Sequence, residues 1–245
     1  MAPSSHVRQS LALEFDGGEH VPAILQRPRT SAAVPAVLLL HGFSSRKERM
    51  AESIGRALLR HDVASLAIDL PLHGAREGGL EGLTLRSPLA LVQKWRLATR
   101  EANQAIDHLA NDAAIDSTRI GLAGYSLGAY LGVMVSADND LVRVTALAAG
   151  GDLPEETPFA SLVRTIADPR RAVRRLAGRP LLMINGRFDR TIRPDQARRL
   201  FEAAREPKEQ RWYEGGHWPP SHAIDDAADW LASRLTQAAP RAKRA

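Results

Sequence analysis

Apolar runs and alternating segments divide this chain into strand-length and helix-length pieces. Val34 to Leu40 is apolar throughout, the mark of a strand buried on both faces. Val63–Asp69, Val142–Ala149 and Leu181–Ile184 are further strands, and Arg119–Ala123 is an apolar run of the same kind. Ser10–Phe15 and Val21–Arg27 read as two strands joined at Asp16-Gly17-Gly18, a hairpin-type turn. Gln210–Glu214 reads as the last strand. Between these lie helical spacings: Glu48–Arg60, an amphipathic Leu91–Ala110, Pro194–Ala204 with proline at its start, and Ala223–Leu235. Strands alternating with helices predict a mainly parallel sheet of about eight strands. An antiparallel hairpin opens it, and helices cover both faces. Ligands of such sheets bind at the carboxyl ends of the strands.

Those ends carry the chemistry. The apolar run to Ala123 leads into Gly124-Tyr125-Ser126-Leu127-Gly128, and a small-residue, helix-compatible run follows. Strand, sharp turn and helix is the context in which Gly-x-Ser-x-Gly lifts a serine hydroxyl over a cleft. A serine hydroxyl is a poor nucleophile unless a base takes its proton and a third group holds that base. Asp189 lies three residues past Gly186, where the Leu181 strand breaks, and His217 follows Gly215-Gly216 after the last strand. Nucleophile, acid and base thus occur in the order this turn requires. Asp152 and His222 are rivals for acid and base. The Val34 strand ends in His41-Gly42-Phe43. The oxyanion donors are assigned to the N–H groups of Leu127 and Phe43, with a shift to Ser44 as the alternative. His41 precedes the nucleophile and reads as a structural residue that bonds the backbone of its loop.

Taken together, His41-Gly42-Phe43, Asp69-Leu70-Pro71-Leu72-His73-Gly74, Gly124 to Gly128, Gly186 with Asp189, and Gly216-His217 resemble the α/β-hydrolases. The detail is similar to the dienelactone hydrolase and prolyl-oligopeptidase-like esterase branch. The resemblance implies Ser126 as nucleophile, Asp189 as acid and His217 as base. It implies an α/β-hydrolase fold, a serine esterase acting through an acyl-enzyme, and no cofactor. Dienelactone hydrolases proper use a cysteine nucleophile and this chain has none, so serine ester chemistry on small or short-chain esters is expected. A thioesterase or small-peptide hydrolase shares that mechanism. A hydrolase-like binding protein with an inactive triad is the reading from outside enzymology.

Two segments interrupt the alternation. Ala75–Pro88 is Gly-rich. Gly151–Gly178 lies where this fold commonly carries a lid, and its Leu153, Phe159, Leu162 and Ile166 are candidate pocket walls. Tyr125 and Trp218 are wall candidates beside the nucleophile and the base, while Trp95 reads as core. Asp69 and His73 have no third ligand at metal spacing, so no metal site is expected there.

Composition adds limits. At 245 residues the expectation is one domain, with the lid-like segment at about 151–178. No apolar run nears the roughly 18 residues of a membrane span, and the N-terminus lacks an apolar signal core, so a cytoplasmic protein is expected. Zero cysteines exclude disulfides and thiolate chemistry. A net charge of +5 raises the question of nucleic acid. Its arginines are spread out, with clusters at Arg170, Arg171, Arg174, Arg175 and at the C-terminus, and no aromatic residues interleave with them. They read as solvated surface; the first cluster could instead meet an anionic substrate at the site mouth. The expected partner is a small-molecule ester, with no nucleic acid and no membrane, for a monomer or small homo-oligomer.

Overall fold

The computed structural model describes residues 6–15, 20–77, 88–154, 164, 167–176 and 178–237. The turn at Asp16-Gly17-Gly18 and the wall candidates Phe159, Leu162 and Ile166 lie outside them. The strands are β1 His6–Glu14, β2 His20–Pro28, β3 Val34–Leu40, β4 Ala64–Ile68, β5 Ile115–Tyr125, β6 Val142–Ala148, β7 Leu181–Gly186 and β8 Lys208–Tyr213. The helices are α1 Lys47–Met50, α2 Arg56–Leu59, α3 Pro88–Asn111, α4 Leu127–Asp138, α5 Pro169–Arg174, α6 Pro194–Ala203 and α7 Ser221–Gln237. A π-helical turn, Ala51–Gly55, joins α1 to α2.

All eight strands form one sheet in the order β1-β2-β4-β3-β5-β6-β7-β8. β1 and β2 pair antiparallel, β2 runs antiparallel to β4, and every other pairing is parallel. β3 is buried at every position, as its unbroken apolar sequence requires of a central strand. β1 is mostly exposed and β8 only half-buried, which suits the polar edges of a sheet.

One face is covered by the α1–π–α2 segment and α7, whose Met50, Ile54, Leu58, Trp230 and Leu231 pack on Val37, Leu39 and Leu182. On the other, α3 lays Ala102, Ile106 and Leu109 over Leu38 and Leu122. There α4, α5 and α6 bring Val133, Val173 and Leu200 against Leu181 and Met183. The described part of the segment at 151–178 therefore contributes to the core: Ala172, Val173 and Leu176 are buried beneath the flank of α4.

Three boundaries differ from the sequence pattern. β1 begins four residues earlier than the apolar alternation marks, because its polar half is fixed by pairing, from His6↔Pro28 onward, and not by burial. β5 reaches back to Ile115 through an irregular register with β3. The helix after β3 widens into a π turn where Gly55 meets β2 and β4. A β-carbon there would lie 2.7 Å from Gln26 Oε1 and 3.0 Å from Ser65 Oγ, so the helix approaches the sheet closely at that point.

Candidate active site

The Gly-x-Ser-x-Gly turn is built by two collisions that only glycine avoids. A β-carbon on Gly124 would sit 2.2 Å from the Gly128 carbonyl oxygen, closing β5 onto α4. One on Gly128 would sit 2.1 Å from the Leu40 carbonyl oxygen, at the end of the neighbouring β3. Ser126 between them adopts φ 53° and ψ −112°, a conformation that costs a non-glycine residue energy. It is fixed from both sides. Its N–H donates to Ala148 O of β6 at 2.9 Å, and its carbonyl accepts from Ala129 and Tyr130.

His217 and Asp189 converge on this serine. His217 Nε2 lies 2.9 Å from Ser126 Oγ, and His217 Nδ1 lies 2.8 Å from Asp189 Oδ2. A carboxylate only accepts, so Nδ1 carries the proton and Nε2 is free to accept from the serine hydroxyl. Asp189 Oδ1 accepts from the Thr191 and Ile192 N–H groups at 2.8 and 3.0 Å. Burial pushes the Asp189 carboxyl up, but the hydrogen bonds from His217, Ile192 and Thr191 outweigh it and hold the group below its ordinary range. The His217 loop is anchored from β8, where the Tyr213 hydroxyl meets Gly216 O at 3.0 Å, and from β5, where the Tyr125 hydroxyl meets His217 O at 3.4 Å.

The two rivals lie elsewhere. The Asp152 carboxylate is taken up by Arg164, Arg199 and the Leu153 N–H. His222 is exposed on the first turn of α7.

The loop after β3 reaches the serine through Gly42, where a β-carbon would lie 3.2 Å from Ser126 Cβ. Phe43 follows it. Leu127 opens α4, so its N–H has no carbonyl to bond within the helix. His41 is fully buried and holds this loop. Its Nδ1 donates to Gly42 O at 2.8 Å and its Nε2 accepts from Leu70 N–H at 3.0 Å. Burial pushes its pKa down to about 4, so it stays neutral. Asp69, also fully buried, accepts from the Lys47 N–H and Nζ, both at 2.8 Å, and from Ala75 N–H at 2.9 Å. The loops after β3 and β4 are thereby tied together.

Two cavities flank the turn. Tyr125 stacks on Trp218 at 4.9 Å between centroids, with the Arg49 guanidinium 4.1 Å over the Trp218 ring. These aromatics wall an apolar cavity of about 170 Å³ that also touches Met50 and Ile54 and is lined by neither Ser126 nor His217. A groove of about 230 Å³, likewise lined by neither Ser126 nor His217, borders the candidate oxyanion residues Phe43 and Leu127, and is completed by Leu70, Leu72, His73 and Leu91. Sequence reasoning missed these last four as wall residues. The available signal for Leu70, Leu72 and His73 was their place directly after β4, at the same sheet end as Ser126, whereas Leu91 comes from the first turns of α3. His73 is buried with its Nδ1 donating to Pro71 O at 2.8 Å, and among the described residues its Nε2 has no partner.

A mainly parallel eight-stranded sheet with a serine turn at a strand end defines a hydrolase-type fold, and residues 37–236 match the alpha/beta hydrolase family. The chain belongs to that family. Among curated relatives it is 24% identical over 174 residues to YtaP, a candidate hydrolase of Bacillus subtilis (strain 168). That match covers 65% of this chain and 56% of YtaP, so the chain matches only about half of that relative's length. A cold-adapted esterase from an Arctic intertidal metagenomic library superposes with a TM-score of 0.75 at 22% identity, over 96% of this chain and 97% of that one. TT1662 from Thermus thermophilus gives 0.76 at 22% identity, over 94% and 98%. A candidate dienelactone hydrolase from Klebsiella pneumoniae subsp. pneumoniae MGH 78578 gives 0.74 at 17%, over 96% and 100%. These likenesses establish the shared fold. No helix among the described residues is long and apolar enough to cross a membrane.

Proposed function

We propose that this protein is a serine hydrolase of carboxylic esters. The observation that carries the reading is the relay Asp189–His217–Ser126, with contacts of 2.8 and 2.9 Å. His217 Nε2 takes the Ser126 proton as Oγ attacks the acyl carbonyl. Asp189 holds the Nδ1–H tautomer and stabilises the imidazolium. The Phe43 and Leu127 N–H groups receive the oxyanion. His217 returns its proton to the leaving alcohol, then activates a water that hydrolyses the acyl-enzyme. This sequence uses only protein groups and water.

The groove beside Phe43 and Leu127, at about 230 Å³, suits a short or medium apolar acyl group. The test is a panel of p-nitrophenyl esters of stepped chain length, run with and without a serine-directed phosphonate. Turnover of short esters, abolished together with a mass adduct on Ser126, is the expected result. Absence of turnover on every ester, or an adduct on another serine, overturns the assignment. Ser126→Ala should lose several orders of magnitude in kcat with an unchanged melting temperature.

A further inference from the structure

The groove beside Leu127 does not end there. One stripe of α4, Leu127, Leu131, Met134 and Asp138, borders first that apolar groove and then a second, larger one of about 640 Å³. Trp95 of α3 lines both. The second groove runs between α3 and α5 along the C-terminal half of α4, from Met134 to Asp138, so the two grooves together follow the helix over about 18 Å at 1.5 Å per residue.

Its polar groups are unequally engaged. Thr99 and Asn103 spend theirs on the α3 backbone and on Asn139. Arg164 pairs with Asp152 and Asp168, and Arg175 with Asp138 at 2.7 Å. Arg96, Arg100 and Arg171 also line the groove, and among the described residues no carboxylate lies within ion-pair reach of them. Both acidic residues of the lining are already neutralised. The groove thus presents three exposed guanidinium groups, unpaired among the described residues and carried on two helices, downstream of an apolar channel that starts at the serine turn. Guanidinium forks match the oxyanions of phosphate and carboxylate.

We infer that this protein's substrates are elongated esters or thioesters carrying an anionic group, phosphate or carboxylate, which Arg96, Arg100 and Arg171 bind while the apolar stem lies past Trp95. The inference rests on the serine-hydrolase reading above and names the substrate class of that same site. The acyl half and the leaving half of a substrate are both possible carriers of the charge, and the recognition chemistry is the same for each.

The experiment compares matched pairs. One arm uses p-nitrophenyl monoesters of adipate, suberate and sebacate, each as the free acid and as its methyl ester. The other uses an acyl-coenzyme A against the same acyl N-acetylcysteamine thioester, which lacks the phosphates. The expected result is at least a tenfold higher kcat/KM for the anionic member in one arm. That preference should shrink with added salt and vanish in the Arg100→Gln/Arg171→Gln double variant, with p-nitrophenyl acetate turned over at the parent rate. A preference on the dicarboxylate arm puts the charge on the acyl half, and one on the coenzyme A arm on the leaving half. Equal rates within every pair, or a preference that survives the double variant, overturn the inference while p-nitrophenyl acetate hydrolysis leaves the serine reading standing. If p-nitrophenyl acetate is not cleaved and Ser126 takes no phosphonate, the serine reading itself has failed and this inference falls with it.

Discussion

In the Asp189→Asn variant the new amide cannot choose its orientation freely. Asp189 Oδ1 accepts two backbone N–H groups, from Thr191 at 2.8 Å and Ile192 at 3.0 Å. The amide oxygen must stay there, because an NH₂ group facing two donors would leave all of them unsatisfied. The NH₂ then points at His217 Nδ1, 2.8 Å away in the parent. A donor in that place selects the tautomer with Nδ1 as acceptor and the proton on Nε2. Nε2 faces Ser126 Oγ at 2.9 Å, and a protonated nitrogen cannot accept the serine's proton. The wrong tautomer in such a relay costs about 10⁴ in turnover, roughly 5.4 kcal/mol of activation free energy. Folding should be nearly unaffected, since both backbone bonds persist. The assay is kcat on p-nitrophenyl acetate beside a thermal melt. Asp152→Asn is the control: its partners are Arg164 and Arg199 and not His217, so it should lower stability while turnover stays within a few-fold. Loss of turnover with Asp152→Asn and near-parent turnover with Asp189→Asn would refute the reasoning.

Other consequences are open to measurement. His41 is neutral in the fold down to about pH 4, while in the unfolded chain it takes up a proton near 6.5. Its contribution to stability is therefore complete above about pH 6.5 and lost as pH falls toward 4, by about 3 kcal/mol. Urea melts between pH 7 and 4.5 should show a shallower decline for His41→Asn, and parallel declines would count against it. Gly128→Ala forces a β-carbon to 2.1 Å from a backbone oxygen and should cost at least about 3 kcal/mol. Gly178→Ala, at φ +79° with open space around it, should cost only about 1–2 kcal/mol; equal losses in the two melts would contradict the packing account. Leu91→Ala, at an exposed wall position of the apolar groove, should change the ratio of kcat/KM between short and medium esters about tenfold. An unchanged chain-length profile would remove that groove from substrate binding.

The fold was legible because its strands are written in two distinct hands. Central β3 is apolar at every position and the second half of β1 alternates, so these declare themselves without tertiary information, while the polar first half of β1 is set by its pairing with β2. The convergence of Ser126, Asp189 and His217 was legible for a related reason: each lies within four residues of the carboxyl end of a strand, and a parallel sheet gathers those ends on one side. What could not be read is where loops turn after leaving the sheet. The segment from Gly151 reads as a lid from its place in the fold; of its described residues, Ala172, Val173 and Leu176 pack in the core beneath α4. The wall candidates Tyr125 and Trp218 border one cavity beside the serine turn. The groove at Leu127 is walled by Leu70, Leu72 and His73. Their role depends on how Arg76 clamps to Glu101 at 2.8 and 2.9 Å and Asp69 to Lys47, long-range pairings with no local pattern.

The clamp of Lys47 on Asp69 also bears on how such a site could be altered by descent or by engineering. It makes the loop that carries Phe43 and the loop that carries Leu72 and His73 a single inherited unit. Grafting only the second loop from a relative without an acid at position 69, to borrow its selectivity, would leave the buried Lys47 without its Asp69 partner. Removing one member of a buried pair costs several kcal/mol, a large share of the 5–15 kcal/mol that holds a typical domain together. Pocket shape and oxyanion geometry are therefore expected to change together, and a successful transplant would carry residues 41–47 and 69–77 as one cassette.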